Sequence, residues 1–157
     1  SIGGDRVAWV QHPSPDAPYV IVLRDLNSGQ ERRIENVGGP FSAELSADGR
    51  YLAWDDGMFA KWAEDLATGE RTMYFEGPAS GTYVSGGRVG WAIYANANGV
   101  GGFYDFASRT VRKLVRTPGR NVVYAMPLGD WFVWQEGELT GDMYGVDGRT
   151  YYAMPLP

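Results

Sequence analysis

The residues best suited to chemistry are carboxylates. Asp16, Asp55, Asp56, Glu136, Glu138 and Asp142 all fall in short polar stretches between runs of strand-forming residues. Brought to one mouth, paired carboxylates could serve as acid and base in glycoside chemistry, or hold Ca²⁺ together with loop carbonyls. The plainer reading is solvated turn residues. No loop has the D-x-[DN]-x-[DN]-G spacing of a calcium site, and Asn96-Ala97-Asn98-Gly99 is only a faint echo of it. The single histidine, His12, lies in the Pro-rich string HPSPDAP. A catalytic base needs a partner nucleophile and a metal needs several convergent ligands. Neither partner is identifiable, so His12 reads as an exposed loop residue; a pocket joining His12, Arg120 or Tyr124 to clustered carboxylates with shifted pKa values would count against a non-catalytic reading of the chain. There is no G-x-S-x-G string and no Walker-type string. Without cysteine, no disulfide or thiolate site can form. The expectation is a chain with no catalytic constellation, no bound metal and no cofactor.

Aromatic side chains are the second group capable of a function. The chain has 6 Trp, 10 Tyr and 6 Phe. Trp9, Trp54, Trp91 and Trp134 close similar strings and read as core, whereas Trp62 and Trp131 stand outside that pattern. A tryptophan near a sheet rim could stack on a sugar or anchor a peptide; packing between sheets is the plainer alternative.

These residues hang on a repeated framework. The four strings are GDRVAW, GRYLAW, GGRVGW and GDWFVW, each with a glycine five residues before its tryptophan: Gly4, Gly49, Gly86 and Gly129. Two residues before the tryptophan stand Val7, Leu52, Val89 and Phe132; one before it stand Ala8, Ala53, Gly90 and Val133. Because a strand alternates its faces, the bulky residues point one way and the small column the other. A sheet packed on both faces, with one face crowded by a neighbour, needs that pattern. A second marker is an aspartate before a turn, at Asp25, Asp65, Asp105 and, in weaker form, Asp147, spaced 40, 40 and 42 residues apart. That period is the length of one propeller blade, a four-stranded antiparallel meander.

The best copy, residues 41–75, carries SADGRYLAW followed by DLATGE. It resembles the TolB-like β-propeller repeat, with its SPDG string, apolar strand and DL-x-x-G turn, and GDRVAW and DLNSGQERRI are similar to repeats of secreted bacterial propellers of that superfamily. Elsewhere the match thins: Ser108-Arg109 replaces the Thr-Gly of the turn, and the last copy shortens to Val146-Asp147-Gly148. The resemblance implies an all-β propeller domain or propeller fragment over 1–157, with four-stranded blades at about 1–36, 41–76, 82–116 and 121–157. The first blade is incomplete, because no room remains before residue 5 for a full innermost strand. The other three read as complete, with inner strands at 41–46, 82–86 and 122–127 and a last outer strand over Arg149 to Leu156. The count is fifteen strands, one short of sixteen, as in a part or half of a larger ring.

At 157 residues the chain can bury a sizeable core, and 21% charged against 44% hydrophobic residues argues against disorder. No apolar run approaches a membrane span. Net charge is −5, with no basic run longer than Arg32-Arg33 or Arg112-Lys113, so nucleic acid and anionic membranes are disfavoured as partners. The reading that follows is a non-catalytic binding or assembly module holding a protein or glycan. Its ligand-facing residues would be Trp62, Trp131, Asp16, Asp55, Asp56, Glu136, Glu138 and Asp142. The alternative is the propeller part of an exported polysaccharide lyase or hydrolase. The family resemblance implies an extracytoplasmic location, and the incomplete blade leaves three solutions: a homodimer in which two chains complete one ring, a closed four-bladed ring, or further flanking blades.

Overall fold

The computed structural model describes residues 1–37, 42–56, 60–77, 80–93, 100–114, 117–139 and 146–156, and among them every regular element is a strand. The chain divides into two compact units, Ser1–Gly77 and Pro78–Pro157.

The first unit holds two antiparallel four-stranded meanders. One runs β1 (Ile2–Gly3), β2 (Arg6–Gln11), β3 (Tyr19–Asp25) and β4 (Glu31–Val37); the other runs β5 (Ala43–Leu45), β6 (Tyr51–Asp55), β7 (Ala60–Asp65) and β8 (Glu70–Glu76). The shortened first copy is visible as an innermost strand of only two residues. The alternation read from the sequence sets the packing. Ala8, Ile21, Leu23 and Ile34 on one face of the first sheet meet Ala43, Leu45, Leu52 and Trp54 of the second, with Val10, Trp62 and Leu66 closing the margins. Each large side chain removed from water in this way stabilises the unit by about 1.5–3 kcal/mol. Polar links add registry: Ser1 Oγ donates to Ala43 O at 3.0 Å and accepts from Leu45 N at 2.9 Å.

The second unit holds β9 (Ser80–Ser85), β10 (Arg88–Ala92), β11 (Gly101–Asp105) and β12 (Thr110–Lys113) in one sheet. The other sheet has β13 (Asn121–Leu128), β14 (Trp131–Leu139) and β15 (Val146–Pro155). Ala92 and Phe103 of the first sheet pack on Val122, Ala125 and Phe132 of the second, flanked by Leu114, Trp134, Met154 and Leu156. Phe103 and Phe132 meet at 4.9 Å between ring centroids. The small column is crowded as its residue types demand: a Cβ on Gly90 would stand 2.7 Å from Pro127 Cδ.

The glycine that opens each string has one cause. Gly4, Gly49, Gly86 and Gly129 sit at φ between 52° and 71°, in the tight turn from first to second strand, where a side chain is strained. The aspartates at 40-residue intervals cap the next turn. Asp25 Oδ1 accepts from Ser28 N at 2.8 Å, Asp65 Oδ1 from Ala67 N at 2.9 Å, and Asp105 Oδ1 from Ser108 N at 2.8 Å. Ser108-Arg109 keeps that turn without its glycine, and Arg109 takes the left-handed conformation at φ 55°.

The fourth copy departs from expectation. Its sheet has three strands among the described residues, so the shortfall from sixteen lies here, where a complete blade was expected. Arg149 to Leu156 does not form an outer strand behind an Asp147 turn. It belongs to β15, which pairs along the whole of β14 from Trp131↔Pro155 to Leu139↔Val146. Asp147-Gly148 is a bulge inside that pairing: two residues, Gly148 and Arg149, lie opposite Gly137, with Gly148 at φ 58°. A left-handed glycine after aspartate serves a bulge as well as a turn, which is why the dipeptide misleads. The partner of Trp134 in this copy is accordingly Tyr152, stacked at 5.3 Å.

Candidate functional site

Asp55 ends β6 in the first unit and Asp56 follows it, and burial decides the role of Asp55. Lys61, next along β7, is 7% exposed at its side chain, and its Nζ lies 3.8 Å from Asp55 Oδ2. Burial pushes the Lys61 ammonium below its usual range, against the pull of Asp55 and Asp56. Asp55 also accepts from Ser42 Oγ at 3.2 Å, while Asp56 Oδ1 accepts from Ala60 N at 3.0 Å. These carboxylates therefore hold a buried cation and a turn. In the first sheet the same cross-strand pair is Val10↔Ile21, so the second sheet has exchanged an apolar pair for a charged one.

Trp62 pairs with Trp54 across β6 and β7, rings 6.5 Å apart and nearly parallel, and packs against the core of the first unit. Beside them the fully buried Glu64 accepts from Arg32 at 2.5 Å and from Arg71 at 3.2 Å, and Arg71 lies 5.0 Å over the Trp54 ring. Asp16 is exposed in the β2–β3 loop. His12 is held in that loop by a 4.2 Å stack on Tyr19 and a 3.1 Å contact between Nε2 and Ala17 O, which suits an exposed loop histidine.

In the second unit Glu136 is buried on β14. It accepts from Trp134 Nε1 at 3.0 Å and from Thr117 N at 3.2 Å, with Arg120 Nε 4.0 Å away. Burial works to raise its pKa, but the hydrogen bonds from Thr117 and Trp134 and the Arg120 charge outweigh it and hold the carboxyl below its ordinary range. Arg120 reaches across the sheet to Glu136 O and Thr150 Oγ1, both at 3.1 Å, and to Gly148 O, clamping the bulge. Glu138 is exposed, 4.0 Å from Arg120 Nη1. Asp142 lies outside the described residues. Among the described residues, no three of His, Asp and Glu converge as metal ligands would.

Trp131 stands apart: it is 51% exposed at the start of β14. Leu128 at 58% and Tyr151 at 70% exposure share its face of the sheet, since Leu128↔Trp131↔Pro155 and Tyr124↔Gln135↔Tyr151 are cross-strand rows on one side. Trp131, Leu128 and Tyr151 therefore present exposed apolar and aromatic side chains on that face, around the buried Gln135. Sequence reading singled out Trp131 but missed Leu128 and Tyr151. Their one-residue offset from Pro127 and Tyr152, which share the face of Phe132 and Trp134, was the available signal. It also missed Lys61 and Glu64, detectable only as charges in columns where the first copy has Ile21 and Arg24.

No protein-family model matches the chain, and no curated protein matches it. Solved structures do. The tricorn protease superposes with a TM-score of 0.72 at 13% identity, over 96% of this chain and 17% of that one. The β-propeller domain of the trilobed protease from Pyrococcus furiosus gives 0.65 at 16% identity, over 89% and 48%. TolB from Acinetobacter baumannii gives 0.60 at 20% identity, over 97% and 40%. The chain spans less than half the length of each of these three. The likeness that SADGRYLAW and DLATGE carry in sequence is matched in three dimensions: the chain has the fold of the TolB-like β-propellers.

Proposed function

We propose that residues 1–157 form a propeller domain, or a part of one, that acts as a non-catalytic binding or assembly module for a protein partner. The observation that carries this is the Trp131 face. Aromatic and aliphatic side chains left half or more exposed on one sheet face are what protein partners bury at the centre of an interface. Of the residues expected to face a ligand, Trp131, Glu138 and Asp16 are exposed and available, while Trp62, Asp55, Asp56 and Glu136 serve packing and internal ion pairs. A homodimer completing one ring belongs to the same reading. An extracytoplasmic location goes with it on the resemblance to secreted bacterial propellers. Among the described residues, no helix is long and apolar enough to cross a membrane.

The test is panning of a displayed peptide library against the sparsely immobilised chain, beside a glycan array. Peptides should be enriched, and Trp131→Ala together with Leu128→Ala should abolish the enrichment. Retention of glycans alone, or enrichment indifferent to both substitutions, would overturn the reading.

A further inference from the structure

Glu64 gathers two arginines where β4 and β8 end the sheets of the first unit. Arg32 projects from β4 on the face that bears Ala8 and Leu23, and Arg71 projects from β8 on the face that bears Leu52 and Glu64. Those two faces pack together as the core of the unit. Arg32 donates to Glu64 through Nη1 at 2.5 Å, and Arg71 donates through Nη2 at 3.2 Å and Nε at 3.4 Å. The carboxylate side chain is 2% exposed, yet those of Arg32 and Arg71 are 45% and 42% exposed. Trp54 supports Arg71 from below, its ring 5.0 Å from the guanidinium carbon. A guanidinium carries more N–H donors than Glu64 takes from either arginine, so both are fixed in place with donors left over from that contact.

The fold is served without such a cluster. In the second unit the row Pro127, Phe132, Met154 stands where the first unit has Leu45, Leu52, Glu64, so Met154 fills the place of Glu64. An apolar side chain at such a place is often as stabilising as a buried ion cluster, or more so. What the charges add is a local excess: two guanidiniums on one carboxylate leave a positive charge uncancelled, in a chain whose net charge is −5. Carboxylates on the same strands are engaged elsewhere. Glu31 pairs with Arg24 and Glu35 with Arg33, each at 3.6 Å, and Glu70 stands in the row of Asp65 on the other face of β8.

We propose that Arg32 and Arg71 form a binding site for a carboxylate of an acidic peptide segment, with Glu64 as the residue that positions them. Met73 decides for a peptide. It is 45% exposed and lies two residues from Arg71 on the same face of β8, in the row of the half-buried Trp62. An extended peptide has the same two-residue repeat, so an aspartate on the arginines sets an apolar side chain two positions on against Met73. Inorganic phosphate or a sugar acid would meet the arginines and leave Met73 uncovered. The site lies in the first unit and is independent of the Trp131 face of the second.

The experiment is an NMR titration of the isotope-labelled chain, observed at the arginine Nε–Hε signals, with the capped peptide Gly-Asp-Ser-Leu-Gly. Its analogue with asparagine for aspartate, inorganic phosphate and glucuronate are titrated beside it. The aspartate peptide should shift the Arg32 and Arg71 signals saturably below millimolar concentration, and the asparagine peptide should not. Arg32→Gln alters an exposed side chain and leaves Glu64 its Arg71 partner, so the circular dichroism spectrum should be unchanged. Affinity should nonetheless fall about 10-fold or more, the worth of one hydrogen bond between charged groups. Arg71→Lys keeps the charge without the planar fork and should weaken binding similarly. Arg112→Ala should leave affinity as it is, since Arg112 holds the column of Arg32 in the second unit, where Met154 replaces Glu64. Absence of a saturable shift at millimolar peptide, or equal binding of the asparagine analogue, would overturn the site. Phosphate or glucuronate binding at lower concentration than the peptide would overturn the peptide as occupant. None of these results bears on peptide panning at Trp131, so the two sites fail separately.

Discussion

Replacing Lys61 by isoleucine strips the buried Asp55 carboxylate of the ammonium 3.8 Å away. Breaking a buried pair by removing one partner costs about 3–5 kcal/mol, because the remaining charge stays out of water. The Ser42 hydroxyl still donates to Asp55, so the low end of that range, about 3 kcal/mol, is expected. The double substitution Asp55→Val with Lys61→Ile installs the Val10↔Ile21 pair that the first sheet uses at this place. It should lie within about 1 kcal/mol of wild type or be more stable, since hydrophobic replacement of a buried pair is often neutral or better. The cycle should therefore show a coupling of at least about 2 kcal/mol, larger by whatever Asp55→Val costs alone. Urea denaturation followed by fluorescence and circular dichroism supplies the values, with coincident transitions as the check that one free energy is defined. A pH arm adds a second readout. Burial places the folded pKa of Lys61 below its ordinary 10.5. Between those two values the unfolded chain binds more protons than the folded one, so stability rises with pH across that window. Lys61→Ile should remove that rise. A Lys61→Ile cost under about 1 kcal/mol, additive with Asp55→Val, would refute the reasoning by showing that water reaches the pair.

Three further outcomes are expected. Trp54→Ala should cost about 3–5 kcal/mol, whereas Trp9→Ala should cost about 1–2 kcal/mol, because no second sheet of its unit covers the Trp9 face; equal losses in denaturation would contradict that. Arg109→Gly should raise the unfolding free energy by about 1 kcal/mol and Gly69→Ala should lower it by about as much, since both positions are left-handed and nothing lies within 4 Å of a Cβ at Gly69. The Asp65 carboxyl is held below its ordinary 3.8 chiefly by its hydrogen bond from Arg50, and Asp48 is likewise lowered by Ser46. Their contributions are complete above 3.8 and disappear as pH falls through the folded values, so Asp65→Asn should flatten the acid limb of a stability–pH curve.

Much of the fold was legible because its determinants are local. A glycine in a tight turn, an aspartate bonded to amides two or three residues on, and alternation across a strand all act within a few residues. Gly49, Asp65 and the pair Leu52 and Trp54 therefore announced a turn, a cap and a core face before any coordinates. The same locality explains the failure at Asp147-Gly148. A left-handed glycine looks alike in a turn and in a bulge, and what separates them is Glu136↔Thr150 pairing with residues far back along the chain. Trp9 shows the limit of a column: it occupies the place of Trp54 in its own sheet, yet it is partly exposed while Trp54 is buried.

By itself, then, the sequence determined the strands, their order, the turn chemistry and which residues share a face, since each follows from backbone geometry and nearest neighbours. Only the tertiary structure decided which faces are covered and which carboxylates are occupied. Glu64 meets Arg32 from a strand 32 residues earlier, Glu136 meets Thr117 and Arg120, and Asp55 meets Lys61 out of water. Burial and ion pairing depend on what lies across the sheet-to-sheet gap, and spacing within one strand carries no record of that neighbour.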